Sequence, residues 1–502
     1  MRQKPKKKTE IRSAHRWIWI LSALAGIRVF VFAAGFPLFN NVDEHAHVDL
    51  VLKYSEGEQP RTLAPISRET AYYYALYGSP EYFDKPAAYP PSEFPEPIWR
   101  QPDRKIAERL EAVLVAWKDW ANYEAGEPPL YYLLAASVWK LGSLLGMRPG
   151  LLLYYVRFLD VAVVAALVWV GYRAARLAFP ENNFPRIAVP VLVAFFPQDT
   201  FYSIESDVLS PLFFGIAFIG LLQLFRSDHP TIFTAVYTGL ALSAACLSKT
   251  TNVPMLLVAA IAVGIKARQL VRSGEFGRHG RALTILSACA ILPIAAWMAW
   301  NYRTFGDVTG AAGKLEYWGW TRKPLSEWWS HPIFTPSGFY KFWRELIGSF
   351  WHGEVYWHGQ QLSRPLANSF YWISSTVVLA IVATTLWRQQ VAKPERYALW
   401  LSVSCFIMAV AFVAGLSLAF DFHDAPYPSR AEPYFTSGRL LAGAMIPFLL
   451  IYAYALERIG AWARRKSVSF ILLGIIVAGI TISELTLRGP VLASRYNFFH
   501  MF

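Results

Sequence analysis

Apolar runs long enough to cross a lipid bilayer recur along nearly the whole of this chain. A helix needs about 20 predominantly apolar residues to span the hydrocarbon core, and only helices or closed barrels satisfy all their backbone hydrogen bonds there. A barrel would show alternating segments of about ten residues, and the sequence has none. The pattern therefore predicts an all-α, polytopic transmembrane bundle. Hydropathy places about 12 candidate helices, at 17–38, 128–146, 151–179, 187–202, 208–225, 231–247, 253–265, 283–300, 369–387, 397–420, 440–459 and 468–487.

Charge is scarce, 17% of residues, yet the formal net charge is +13. Lys and Arg gather in short segments between apolar runs, as topology signals do, so the partner this charge implies is the lipid bilayer and not nucleic acid. Cys246, Cys289 and Cys405 lie inside apolar segments without CxxC spacing, which supports neither a disulfide framework nor a zinc site. The basic residues 1–16 precede a long first run that reads as a retained anchor, with the N-terminus cytoplasmic.

The basic stretches 266–281, 388–396 and 464–466 then belong inside, which places 39–127, 301–368, 421–439 and the tail 488–502 outside. If both 128–146 and 151–179 cross, Arg173, Arg176 and Arg186 land outside, against the rule. One segment between residues 40 and 266 is therefore expected to be re-entrant or half-crossing, or the rule fails there. The chain reads as one domain, 17–487, with two outside elaborations. The first, 39–127, has helical pattern at 68–77 and 104–121, and Ile106, Leu110, Val113, Leu114 and Trp117 share one face, as on a helix lying at the membrane surface. The second, 301–368, is rich in Trp, Tyr and His, as an interface or a sugar-facing cleft would be.

Just after the first run stands Asn40-Asn41-Val42-Asp43-Glu44-His45-Ala46-His47-Val48-Asp49. Ionisable groups at the mouth of a span are costly to desolvate unless paired, which marks them as candidates for function. Asp43 could serve as a general base; the plainer alternative is that it caps a helix starting at Glu44. Asp43, Glu44 and His47 are the candidate ligands if a divalent cation, Mg or Mn, is bound, a point the sequence leaves open. Glu205 and Asp207 form a second acidic pair at a break between apolar segments, equally suited to capping. Lys249, Arg303 and Arg439 interrupt or flank apolar sequence and could hold a phosphate. Arg439 suits this best, because a guanidinium binds phosphate through two arms and a helix starts there, although a lone Arg at a span end also anchors to headgroups. His45, His352 and Glu354 complete the candidate binding set.

The first span followed by Asp43-Glu44, the long outside loop, and Pro128-Pro129-Leu130-Tyr131-Tyr132 opening the next helix together resemble the GT-C glycosyltransferases, which include protein mannosyltransferases and lipid A aminoarabinose transferases. The chain is similar in particular to a bacterial membrane group of that superfamily with an Asp-Glu-x-x-His motif, here Asp43-Glu44-His45-Ala46-His47. Later marks are Asn301-Tyr302-Arg303-Thr304-Phe305-Gly306-Asp307, Ser349-Phe350-Trp351 and Gly438-Arg439-Leu440. The group usually shows Pro after Asp-Glu and Tyr after Gly-Arg, where this chain has His45 and Leu440.

The resemblance implies an inverting glycosyltransferase of the bacterial inner membrane that moves a sugar from a polyprenyl-phosphate-linked donor to an envelope acceptor, glycan, lipid or protein, on the outer face. Asp43 would be the base. Glu44 and Glu205 or Asp207 would contact acceptor or cation, and Arg439 and Lys249 the phosphate. The competing readings are a lipid-linked sugar flippase or transporter, a non-enzymatic assembly partner, and a ligase or polymerase using an oligosaccharide-diphosphate donor.

Overall fold

The computed structural model describes residues 6–39 and 43–501, with side chains from Arg16 onward apart from Lys393. Asn40, Asn41 and Val42 of the polar string, and residues 1–5, lie outside the described residues. The chain runs through α1 (Lys6–Gly35), α2 (Glu44–Ser55), α3 (Arg68–Tyr77), α4 (Asp103–Ala116), α5 (Leu130–Leu144), α6 (Pro149–Arg157), α7 (Leu159–Ala178), α8 (Asn183–Ala194), α9 (Leu209–Arg226), α10 (Ile232–Ser248), α11 (Met255–Arg272) and α12 (Phe276–Phe305). It continues through α13 (Ala312–Tyr317), α14 (Leu325–Trp328), α15 (Pro336–His352), α16 (Pro365–Trp387), α17 (Lys393–Ala419), α18 (Met445–Trp462) and α19 (Lys466–Leu492). It is a multi-pass helical membrane protein: among the described residues, nine helices are long and apolar enough to cross a bilayer, α6 and α7 counting as one, and α8 and α10 are shorter apolar helices.

α18 is the centre of the bundle. It is apolar on every side, as a helix enclosed by other helices must be, and 89% of its most apolar window is buried inside the protein. Ile446, Phe448, Leu449, Leu450 and Ile451 expose nothing, and the helix packs against α8, α16, α17 and α19.

The segment 128–146, one of the candidate spans, folds back on the first loop. α5 has 15 residues, about 22 Å at 1.5 Å per residue, short of the hydrocarbon thickness. Both its ends stay with the first loop. Tyr132 stacks on His47 and Tyr54, and Trp139 meets Tyr73 of α3. After the turn, Gly150 at the start of α6 packs on Tyr77, also of α3. From that turn α6–α7 carries Arg173 and Arg176 to the end of the bundle that also holds Tyr397, Tyr454 and Phe470. There Phe179 stacks on Tyr454, Phe184 meets Phe470, and Phe225 stacks on Tyr397. With α5 as the half-crossing segment, Arg173, Arg176 and Arg186 accord with the positive-inside rule.

The expected helix 187–202 is also cut short. α8 ends at Ala194, three residues before Pro197, which disfavours helical backbone in the residue before it. The chain then runs through two short 3-10 turns, Asp199–Tyr202 and Ser206–Val208. That break holds buried polar side chains inside the protein, Gln198, Asp199, Glu205 and Asp207 among them.

Two pairs of two-residue antiparallel strands stitch the outer segments. β1 (Thr321–Arg322) pairs with β4 (Phe420–Asp421), with Thr321 opposite Asp421, and β2 (Tyr356–Trp357) pairs with β3 (Gln360–Gln361). In the first loop α3 and α4 pack through Ala71, Ala75, Val113 and Trp117. α4 ends at Ala116, short of the expected 121.

Candidate functional site

Asp43 immediately precedes α2 in left-handed backbone, φ 58°, and its carboxylate makes no capping hydrogen bond. Left-handed geometry costs a non-glycine residue about 1–2 kcal/mol, and such strain persists where the surroundings fix it. Here the surroundings are two donors. Tyr123 Oη donates to Asp43 Oδ1 at 2.6 Å, and Arg439 Nη2 donates to Oδ2 at 2.9 Å. Burial alone would raise the Asp43 carboxyl, but Arg439, then Lys314, with the Tyr123 bond, hold it well below the usual carboxylate range.

Arg439 lies in the 3-10 turn Gly438–Ala444 that leads into α18. Ser349 of α15 fixes that turn: its Oγ accepts from Gly438 N at 2.9 Å and donates to Thr436 O at 2.5 Å. The approach leaves no room for a side chain at 438, where a Cβ would stand 1.9 Å from Phe350 N. The second arm of Arg439, Nη1, reaches Glu205 Oε2 at 3.1 Å. Glu205 is fully buried, and burial pushes it up to about 8 against the opposing Arg439. Ser203 Oγ donates to its other oxygen at 2.8 Å.

Asp43, Arg439 and Glu354 line one cavity of about 1150 Å³, above the usual 300–1,000 Å³ of a small-ligand pocket. Trp117, Trp120, Tyr123, Trp318 and Trp320 form its aromatic side, with His45 among them, and His352, Ser437 and Lys314 its polar side. His45 packs against Trp117, Trp120 and Tyr123. His352 Nε2 is 2.7 Å from Asn368 Oδ1, and burial lowers the imidazole to about 4. Glu354 Oε2 accepts from Ser437 Oγ at 2.9 Å, and burial raises the carboxyl to about 7.

Other predicted site residues stand elsewhere. Glu44 turns away from Asp43 into the bundle, where Arg157 Nη2 donates to its two carboxylate oxygens at 2.6 and 2.7 Å, Arg157 Nε donates to Oε1 at 3.1 Å and Ile204 N donates to Oε1 at 2.8 Å. Both side chains of that pair are completely buried, so Glu44 holds the fold under the site and does not reach the cavity. His47 shares a 2.7 Å hydrogen bond with Tyr132 behind the cavity wall. Asp43, Glu44 and His47 thus turn to three different partners and form no common cation sphere. Arg303 is exposed at the end of α12 and takes no part in the cavity.

Lys249 and Asp207 form a second layer. Lys249 Nζ lies 3.3 Å from Asp207 and 3.4 Å from Glu127, and donates to Ser206 Oγ at 3.2 Å. Burial alone would lower this ammonium, yet Asp207, Glu127 and Glu124 raise it. Lys249 does not line the cavity, so a direct phosphate contact is not its geometry.

The segment Asn122-Tyr123-Glu124-Ala125-Gly126-Glu127 was missed as a site element. It supplies Tyr123 to Asp43, Glu127 to Lys249, and Glu124 to Lys314 of α13. Burial would raise Glu124, but Lys314 and Lys249 bring it to about 2. A usable signal existed, because these carboxylates, like Asp43, stand at the mouth of an apolar segment.

A comparison with curated proteins returns no match. The model of the family described as Predicted membrane protein (DUF2142) matches residues 27–426, from within α1 to the turn after β4 and so across Asp43 and most of the residues that line the cavity. The chain belongs to this family of predicted membrane proteins.

Proposed function

We propose that the chain is an inverting GT-C-type glycosyltransferase that moves a sugar from a polyprenyl-phosphate-linked donor to a cell-envelope acceptor. One observation carries this reading: a carboxylate and a two-armed guanidinium, Asp43 and Arg439, meet at 2.9 Å on the wall of a large, aromatic-sided cavity. The acceptor hydroxyl oxygen attacks the anomeric carbon and its proton passes to an Asp43 oxygen. The bond from that carbon to the phosphate oxygen breaks, and the phosphate leaves with the electron pair, held by Arg439. Positive charge on the sugar ring and negative charge on the leaving group develop together, next to groups already fixed in place. Attack opposite the departing phosphate inverts configuration. No step is routed through a metal ion.

The basic end of the bundle then faces the cytoplasm by the positive-inside rule, and the cavity opens on the outer face of a bacterial inner membrane. The test is transfer of radiolabelled sugar from polyprenyl-phosphate donors by membranes carrying wild type or Asp43→Asn at matched expression. A loss of about a hundredfold or more, the usual size of a general-base effect, supports the reading. Equal transfer by both chains removes Asp43 as the base.

A further inference from the structure

At the end of the bundle opposite the cavity, three side chains from two turns converge. His229 belongs to the turn between α9 and α10, and Glu275 and His279 stand one helical turn apart at the start of α12. One ligand atom from each, two imidazole nitrogens and a carboxylate oxygen, all lie within 4.8 Å of one another. His279 Nε2 is 3.7 Å from Glu275 Oε2, and the imidazole centroids of His229 and His279 are 4.7 Å apart. Among the described residues this is the sole group of three His, Cys, Asp or Glu that meets so closely.

Each half is held by its own backbone. Ser227 Oγ accepts from His229 N at 3.2 Å and donates to His229 O at 2.8 Å, and Lys266 Nζ of α11 donates to Ser227 O at 2.5 Å. Gly274, at φ 72°, turns the chain so that Glu275 N donates to Leu270 O at 2.9 Å and His279 N donates to Glu275 O at 3.0 Å. The one-turn spacing puts Glu275 and His279 on one face.

We propose that His229, Glu275 and His279 bind a divalent transition-metal ion of the zinc class, tying the α9–α10 turn to the start of α12. Two imidazoles and one carboxylate select zinc, copper or nickel over magnesium or calcium, which take oxygen ligands. Three protein ligands leave a fourth tetrahedral position for water. Bond lengths of about 2.0–2.2 Å require the three atoms to draw in by about an ångström, and His229, being exposed, is free to swing. The site is independent of the cavity and of the transferase reading.

The test is titration of the untagged full-length chain, stripped with chelator, with Co²⁺ and then Zn²⁺. One Co²⁺ per chain with visible absorption bands, displaced by Zn²⁺, is expected, and binding should weaken in acid as protons compete for the imidazoles. Loss of a mere outer-shell partner costs about 10–100-fold in affinity, so His229→Gln and His279→Gln should each lose at least about tenfold. Because His229 is exposed, His229→Gln leaves the metal-free melting temperature unchanged and reads binding alone. Unchanged affinity in the double variant, or no binding at about 1 mM ion, the weak end of specific affinities, overturns the proposal.

Discussion

Arg439 lies 396 residues from Asp43 in sequence and donates to it across 2.9 Å. The same guanidinium reaches Glu205 at 3.1 Å, so one cation holds together the end of the first span, the break after α8 and the start of α18. Arg439→Lys keeps the charge but cannot span both carboxylates. Under the transferase reading it should raise KM for the donor and lower kcat/KM by at least about tenfold, one good charge-assisted contact. Steady-state transfer against donor concentration measures this, and an unchanged kcat/KM would remove Arg439 from phosphate binding.

Glu354 gives a pH prediction. Burial raises its carboxyl from 4.5 to about 7, so between those values the folded chain holds a proton that the unfolded chain has released. From this group, stability falls as pH rises through that window. Glu354→Gln removes the dependence. Relative to wild type, the variant should therefore gain melting temperature on going from pH 5 to pH 8. A pH-independent difference between the two chains would contradict the assignment.

The Glu44–Arg157 pair predicts a change in stability. Removing one partner of a buried ion pair costs about 3–5 kcal/mol because the other charge stays buried. Glu44→Gln should melt well below wild type, and the double variant Glu44→Gln/Arg157→Met should recover part of the loss. Asp43→Asn, whose side chain is partly open to the cavity, should melt close to wild type. Similar melting of Glu44→Gln and Asp43→Asn would refute this division of roles.

Gly438→Ala tests the turn that aims Arg439. Its Cβ would collide with the backbone of α15 and break the Ser349–Gly438 bond. A misplacement of about 1 Å in a site can cost a hundredfold in rate, so transfer should collapse while helix content by circular dichroism is kept. Undiminished transfer would show that the turn's position is immaterial.

The membrane-spanning architecture was readable from apolar length alone, because lipid leaves the backbone few choices. Segment 128–146 was counted among the candidate spans because its composition matches that of one, and charge said only that one segment between residues 40 and 266 is re-entrant or half-crossing, or that the rule fails there. What keeps α5 on one side is its contact with α2 and α3, through Tyr132, Trp139 and their partners, which no local pattern reveals. The break at Glu205 and Asp207 was legible as polar residues interrupting apolar sequence, and so was Asp43. Their partners were less so: Arg439 could be aimed at headgroups or at carboxylates, and only tertiary packing decides. Glu44 and His47 share a string with Asp43, but successive positions on a helix point in different directions, and each went to a different neighbourhood.

α5 also sets the sidedness of everything downstream. Reporter domains fused after Arg61 and after Met147 should fall in one compartment, since the chain between them makes no net passage. If α5 were threaded through during synthesis, every later helix would be inserted upside down, and Arg439 would emerge on the far side of the bilayer from Asp43. The contact between those two residues can therefore form only in a chain in which α5 stays on the side of the first loop.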